Sequence, residues 1–155
     1  MFGKNIVISQ YIEPSGSLKI VDLFYTIQGE GPYNGMPSVF VRLAGCNLRC
    51  SWCDTDFETG AKVRELGNLI ELIQVAANHR TKLVVITGGE PLLQNIVPLI
   101  KELTRRQYRV QIETAGTIWV PLLEECDITL VCSPKTGKVN KEILNRCKHF
   151  KYVVG

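Results

Sequence analysis

Apolar runs rich in β-branched residues alternate with amphipathic runs along most of this chain. Strands are predicted over residues 19–27, 38–43, 82–87, 108–113, 127–132 and 149–154. Helices are predicted over residues 66–79, 92–105, 119–125 and 141–146. Strands that alternate with helices pair in parallel through right-handed crossovers, so the pattern predicts an α/β fold with outer helices. A complete eight-stranded barrel takes about 250 residues, so a chain of 155 residues predicts a partial (β/α) barrel.

Four of the predicted strands run directly into glycine, cysteine or polar residues. The segments that follow these strands are the cysteine loop 46–53, Gly88-Gly89-Glu90-Pro91, Thr114-Ala115-Gly116-Thr117 and Ser133-Pro134-Lys135. The carboxyl ends of parallel strands in a barrel meet at one rim, and that rim carries the functional residues. We therefore expect these four segments to converge on one site.

Length and composition favour a single core domain. The chain has 155 residues, of which 45% are hydrophobic, so residues 18–155 are predicted to form one core and residues 1–17 an N-terminal lead-in. A net charge of +3 is too small to indicate nucleic acid or an anionic membrane as a partner. The sequence shows no signal-peptide pattern and no membrane-spanning apolar run, so a cytoplasmic protein is expected.

Three cysteines, Cys46, Cys50 and Cys53, lie within eight residues of one another. Thiolates suit zinc or iron–sulfur clusters, but a structural zinc takes four protein ligands, and the next thiol is more than seventy residues away. Three cysteines can hold three irons of a [4Fe–4S] cube and leave the fourth iron open to a small chelating molecule. A zinc knuckle or a set of buried thiols remains the alternative. The other thiols are predicted to be small core residues, namely Cys126, Cys132 and Cys147.

The Cys-x3-Cys-x2-Cys spacing, with Trp52 before the last cysteine, resembles the radical S-adenosylmethionine superfamily. The resemblance implies a [4Fe–4S] cluster on these cysteines, with the amino and carboxylate groups of S-adenosylmethionine on the open iron. It also implies one-electron reduction that releases a 5′-deoxyadenosyl radical. An electron donor such as a flavodoxin or a ferredoxin would then be a partner.

Two strand-end segments resemble cofactor-binding motifs of the same superfamily. Gly88-Gly89-Glu90-Pro91 resembles the motif that holds the amino group of S-adenosylmethionine, although a plain strand-to-helix turn would also explain it. Ser133-Pro134-Lys135 resembles the segment that contacts the ribose and carboxylate, with a strand-terminating turn as the alternative. The resemblance adds three further cofactor-binding residues: Trp52, Asp54 and Glu113.

Further segments match a narrower family. These are the run from Phe24 to Pro32 (FYTIQGEGP), Arg42 and Cys53-Asp54-Thr55, together with TGGEP and SPK. They resemble 7-carboxy-7-deazaguanine synthase. That family contracts the ring of 6-carboxy-5,6,7,8-tetrahydropterin, with loss of ammonia, to give 7-carboxy-7-deazaguanine on the route to queuosine and other 7-deazapurines.

The narrower resemblance implies a set of substrate contacts. Arg42 would face the substrate carboxylate, a task that suits its planar guanidinium. Thr55 would supply a hydroxyl group to a Mg2+ ion that also touches the substrate. The substrate-binding residues implied in this way are Ile27, Gln28, Gly29, Arg42 and Thr87. Each of them also has an ordinary alternative, such as a turn, an ion pair within the sheet or a loop cap.

Two other functions stay open at this point. One is a radical S-adenosylmethionine activase that installs a glycyl radical on a partner, and the other is a non-catalytic zinc-binding or cluster-binding module. Members of the narrower family continue well beyond the length of this chain. We therefore expect a C-terminally short form, either a poorly active fragment or a homodimer in which the second subunit completes the site.

Overall fold

The computed structural model describes residues 16–154, in which seven strands form one sheet. The strands are β1 (Leu18–Ile27), β2 (Pro37–Leu43), β3 (Lys62–Arg64), β4 (Leu83–Gly88), β5 (Arg109–Thr114), β6 (Thr129–Cys132) and β7 (His149–Phe150). The α-helices are α1 (Leu66–Ala77), α2 (Val97–Arg105) and α3 (Lys141–Arg146). Three short 3₁₀ helices cover Gly31–Tyr33, Pro91–Leu93 and Pro121–Glu125. Residues 1–15 of the predicted lead-in lie outside the described residues.

The sheet is mostly parallel, which confirms the predicted α/β class. Its strand order is β3-β1-β2-β4-β5-β6-β7, and every neighbouring pair from β2 to β7 is parallel. The β1 strand instead pairs antiparallel with both β2 and β3. The loop that joins β1 to β2 contains one 3₁₀ turn and no α-helix, and such a short connection returns the chain in the opposite direction.

Some predicted elements differ in extent from those observed. The predicted helix over residues 92–105 is a 3₁₀ turn followed by α2, because Pro98 lacks an N–H and is accommodated in the first turn of a helix. The segment 119–125 is also a 3₁₀ helix, and the last strand ends at Phe150. None of the helices in residues 16–154 is long and apolar enough to span a membrane.

The two faces of β2 divide the core from the site. Val39, Val41 and Leu43 are fully buried and belong to the hydrophobic core, together with residues of α1 and α2 such as Leu69 and Ile100. Side chains alternate along a strand, so the intervening residues of β2 point to the opposite face. The helices thus cover one face of the sheet, and the other face is left for a cavity.

The loop between β1 and β2, residues 28–36, extends across the inner face of the sheet; we call it the hairpin loop. Its Tyr33 hydroxyl lies 3.0 Å from the hydroxyl oxygen of Thr129 in β6. Its Glu30 forms an ion pair with Lys151, which follows β7. Three strands separate β1 from β6 in the sheet order, so these contacts show that the hairpin loop reaches across the sheet as far as β6 and β7.

Gly31 is the point at which the hairpin loop lies closest to the sheet. Its φ is +72°, and a Cβ built there would lie 2.9 Å from Cγ2 of Val131. Gly35 in the same loop also has a positive φ, +85°, but a Cβ there would meet no atom within 4 Å. A substitution at either glycine would therefore strain the backbone, but only a substitution at Gly31 would also make a close contact with β6.

We predict that Gly31→Ala destabilises the fold by about 2–3 kcal/mol, since it adds an over-close contact to the left-handed strain. Gly35→Ala is the matched control and should cost only about 1 kcal/mol. Urea unfolding of the two variants measures the difference. Equal costs would show that the hairpin loop does not press against β6.

Candidate functional site

A cavity of about 730 Å³ opens at the carboxyl ends of the parallel strands. The loops after β2, β4, β5 and β6 all contribute to its wall, as the strand-end pattern predicted, and the hairpin loop closes one side. The predicted site residues that line it are Gln28, Gly29, Arg42, Cys46, Cys50, Trp52, Cys53, Asp54, Thr55, Thr87, Gly88, Gly89, Glu113, Ser133 and Lys135. Segments far apart in sequence therefore meet at one site.

The three clustered cysteines have free thiols and face this cavity together. Cys46 is buried, whereas Cys50 and Cys53 are half-buried. Burial raises the pKa of the Cys46 thiol to about 11. A hydrogen bond from the Leu48 N–H to the Cys46 sulfur lowers this pKa but does not offset the effect of burial. Burial also raises the pKa of Cys50.

No three His, Cys, Asp or Glu side chains in residues 16–154 are grouped closely enough to hold a single metal ion. A [4Fe–4S] cluster takes its cysteine ligands on different irons. Its ligands therefore need not surround one point, and the arrangement of three thiols round one large cavity fits a cluster of that kind.

Gly88 and Gly89 allow the cysteine loop to lie directly against the end of β4. A Cβ on Gly88 would lie 2.4 Å from the carbonyl oxygen of Leu43, and a Cβ on Gly89 would lie 2.2 Å from that of Gly45. The Glu90 N–H also donates to the Gly45 carbonyl at 2.9 Å. Any side chain at either glycine would push the cysteine loop away, so both glycines are required for the shape of the site.

Glu90 lies behind the cavity wall and does not line it. Its side chain is fully buried and accepts hydrogen bonds from the Leu92 N–H, the Ala115 N–H and the Thr114 hydroxyl, at 2.8–3.1 Å. Burial raises the pKa of this carboxyl, and the three hydrogen bonds act in the opposite direction. Glu90 thereby links the loop after β4 to the end of β5.

Arg42 is the last residue of β2 on the inner face of the sheet, and it lines the cavity. The guanidinium carbon lies 5.9 Å from the ring centroid of Phe24, which stacks on Phe40 with 5.5 Å between the ring centroids. Its Nε is buried and has no hydrogen-bond partner in the described chain. Arg42 as a whole is half-buried and lines the cavity, so its guanidinium group can pair with a carboxylate there.

Polar side chains from the hairpin loop and from β5 form a network at one wall. The Gln28 and Gln111 amide groups both donate to Oε1 of Glu113, at 3.0 and 3.1 Å. The amide oxygen of Gln28 accepts from the Glu30 N–H at 3.1 Å. The Gln28 side chain is therefore occupied on both of its polar atoms.

The remaining predicted polar residues form two short-range pairs. Lys135 donates to the Ser133 hydroxyl at 2.8 Å after β6. Thr55 donates from its hydroxyl to Asp54 at 3.0 Å, beside Cys53. The second pair places two kinds of oxygen ligand at the cavity, which is the type of donor that Mg2+ prefers.

The comparison with family models decides the family. Residues 40–153 match the model described as the radical SAM superfamily. The chain belongs to this superfamily. The matched residues include all three clustered cysteines and both glycines at the end of β4.

Relatives of known name place the chain more narrowly in the 7-carboxy-7-deazaguanine synthase family. A protein of that name from Rickettsia prowazekii is 38% identical over 99% of this chain and 69% of its own length. Another from Rhodospirillum rubrum is 49% identical over 99% of this chain and 66% of its own length. The chain thus spans about two thirds of the length of these relatives.

A solved structure shows the same fold. The structure titled "Crystal structure of QueE from Escherichia coli" has a TM-score of 0.77 and 29% sequence identity. The match covers 90% of this chain and 72% of that chain. The radical SAM fold expected from the cysteine loop is therefore confirmed.

Not every predicted site residue of this radical SAM chain lies at the cavity. The exceptions are Glu90, Pro134 and Ile27, none of which lines the cavity. The Ile27 side chain is 54% exposed at the surface. Sequence reasoning missed Phe40 and Lys151, which do line the cavity. Phe40 lies two residues before Arg42 in β2, so strand alternation was the available signal, and Lys151 follows β7 at one more strand end.

We predict that Glu90→Gln destabilises the protein by about 1–3 kcal/mol, because an amide nitrogen cannot accept the buried N–H and O–H donors. Glu71→Gln, an exposed change on α1, should stay within about 0.5 kcal/mol of the parent. Denaturant unfolding of the metal-free protein provides the measurement. A Glu90→Gln protein as stable as the control would show that this carboxylate does not hold β4 and β5 together.

Proposed function

We propose that this chain carries the catalytic core of a 7-carboxy-7-deazaguanine synthase. The reaction is the ring contraction of 6-carboxy-5,6,7,8-tetrahydropterin to 7-carboxy-7-deazaguanine with loss of ammonia, in queuosine and other 7-deazapurine biosynthesis. The observation that supports it best is that three free thiols, two close-packed glycines and an Arg42 without an acceptor line one cavity. The names of the relatives support the same reaction.

Cys46, Cys50 and Cys53 hold the [4Fe–4S] cluster in this proposal. When bound, the cluster supplies the electron that cleaves S-adenosylmethionine, and the donor of that electron is a small redox protein such as a flavodoxin or a ferredoxin. The protein's part is to position the reactants and to keep water from them. Trp52 and Leu48, which also line the cavity, provide apolar surface beside the cysteines.

The S-adenosylmethionine site extends from the glycines to the end of β6. The backbone carbonyls at Gly88 and Gly89 accept from the amino group, with Glu90 holding that loop in place. Ser133, Pro134 and Lys135 form the segment next to the ribose and carboxylate. Lys135 adds a positive charge, which favours the carboxylate. The remaining cofactor contacts in the proposal are Trp52, Asp54 and Glu113.

The pterin occupies the inner face of β1 and β2, beside the stacked pair Phe24 and Phe40. Arg42 binds its carboxylate through the guanidinium fork, and Thr87 contacts it from the end of β4. Backbone groups of Ile27, Gln28 and Gly29 lie along the ring edge. Thr55, with Asp54 beside it, supplies an oxygen ligand to a Mg2+ ion that orients the substrate and stabilises developing negative charge.

We further propose that the protein works as a homodimer. Phe150 of the edge strand β7 is exposed, as are the residues Tyr152, Val153 and Val154 that follow it, and these last three line the cavity. A second subunit that covered this edge would pair or shield its backbone groups, as edge strands require.

Cys50→Ala should abolish the brown colour and the bound iron after anaerobic reconstitution with iron and sulfide, because only two thiolates remain. Cys126→Ala is the matched control, since Cys126 does not line the cavity, and it should keep both. Visible absorption and iron analysis provide the measurement. Stoichiometric zinc with no uptake of iron by the parent chain would contradict the cluster assignment.

Arg42→Ala should weaken binding of 6-carboxytetrahydropterin by about 2 kcal/mol, or about thirtyfold in Kd, since it leaves a carboxylate unpaired in a desolvated site. Arg109→Ala removes an exposed arginine at the start of β5 and should leave the Kd unchanged. Calorimetric titration under anaerobic conditions measures both. An unchanged affinity of the Arg42→Ala protein would refute the carboxylate assignment.

A further inference from the structure

Glu113 is held by two glutamine side chains that come from different parts of the fold. Gln28 reaches it from the hairpin loop, and Gln111 reaches it from two residues earlier in β5. Both amide groups donate to the same carboxylate oxygen, Oε1, and the two glutamines are only 1% and 0% exposed. Two buried donors on one oxygen fix the plane of the carboxyl group as well as its position.

The arrangement leaves the second oxygen of Glu113 for a ligand. Within residues 16–154, Oε2 makes no hydrogen bond, and Glu113 is half-buried and lines the cavity. A carboxylate oxygen can accept from hydroxyl or N–H groups. The geometry therefore presents one fixed acceptor to the contents of the cavity.

Packing alone does not account for a glutamine at position 111. The amide oxygen of Gln111 is buried and has no hydrogen-bond partner in the described residues. A buried, unpaired acceptor costs about 1–3 kcal/mol. An unbranched apolar side chain of similar length would fill the space without that cost, so the contribution that remains for the amide group is its N–H donation to Glu113.

Gly31 of the hairpin loop lies beside the Gln111 amide group. A Cβ at Gly31 would lie 3.5 Å from Oε1 and 3.6 Å from Nε2 of Gln111. The hairpin loop therefore covers the amide and also supplies Gln28. The orientation of Glu113 depends in this way on the seating of the hairpin loop against β5 and β6.

We propose that Gln111 is a positioning residue, which with Gln28 aims the free oxygen of Glu113 at a hydroxyl or N–H donor of the bound ligand. The inference rests on the proposed function, in which the ligands are S-adenosylmethionine and the pterin. Since the proposed function places Glu113 at S-adenosylmethionine, the expected donor is a ribose hydroxyl, and a ring N–H of the pterin is the other outcome that the test distinguishes. Gln111 acts through Glu113 and does not itself line the cavity.

Gln111→Met tests this inference, because methionine keeps the length of the side chain and removes its N–H. The affinities of the reconstituted protein for S-adenosylmethionine and for 6-carboxytetrahydropterin are measured in the parent and in a Glu113→Ala background. We expect about a tenfold loss for the ligand that Glu113 contacts, the scale of a hydrogen bond to a charged group. In the Glu113→Ala background, Gln111→Met should have no further effect.

Thermal unfolding separates positioning from a general structural role. Gln111→Met removes an unpaired buried acceptor but also one N–H donor to the Glu113 carboxylate. These two effects are of similar size and opposite sign, so the Tm should change little. Gln94 is the matched control, a glutamine only 4% exposed whose amide bonds to Lys19 and Ala44 at 2.8–3.0 Å. Gln94→Met should lower the Tm, because it leaves those backbone groups without partners.

Three results would overturn the inference, two from Gln111→Met and one from Glu113→Ala alone. The first is a Gln111→Met protein that binds both ligands as tightly as the parent, and the second is an equal loss of affinity in the Glu113→Ala background. If Glu113→Ala itself leaves both affinities unchanged, the role of Glu113 is wrong and this inference fails with it. The assembly of the cluster on the three cysteines tests the proposed function separately, so the two failures are distinguishable.

Discussion

The close approach of the cysteine loop to the end of β4 is the contact on which the rest of the site depends. Parallel pairing of β2 with β4 brings Leu43 opposite Gly88, and the absence of side chains there lets backbone meet backbone. One hydrogen bond from the Glu90 N–H to Gly45 fixes the distance. The loop that presents Cys46 is thereby placed by the sheet itself, before any cofactor is bound.

Glu90 extends this constraint to the next strand. Its buried carboxylate holds the backbone of Ala115 and the hydroxyl of Thr114, so the ends of β2, β4 and β5 form one hydrogen-bonded unit. The glycine-rich motif therefore has two parts with different tasks. Gly88 and Gly89 line the cavity, and Glu90 ties the loop behind them to the end of β5. A rigid support of this kind is what a reactive cofactor needs.

Much of the architecture was predictable because it depends on local pattern. The apolar runs predicted the parallel strands, and the rule that carboxyl ends share a rim predicted that the cysteines, Gly88 and Ser133 would meet at one site, whereas Arg42 was placed there by the family resemblance. The three-residue β3 was missed because so short a run has no periodicity, and the antiparallel pairing of β1 was missed because no helix pattern separates it from β2. The burial of Glu90 and the role of Gln111 depend on contacts between distant segments, which a single sequence does not display.

In the proposed function this cavity holds a [4Fe–4S] cluster with one iron open to S-adenosylmethionine. Electron paramagnetic resonance of the reconstituted, dithionite-reduced chain tests it most directly, with spectra recorded before and after addition of S-adenosylmethionine. We expect a reduced [4Fe–4S] signal that changes in shape when S-adenosylmethionine is added, because the amino and carboxylate groups of that ligand would coordinate the open iron. A cluster signal that is unaltered by saturating S-adenosylmethionine would contradict it.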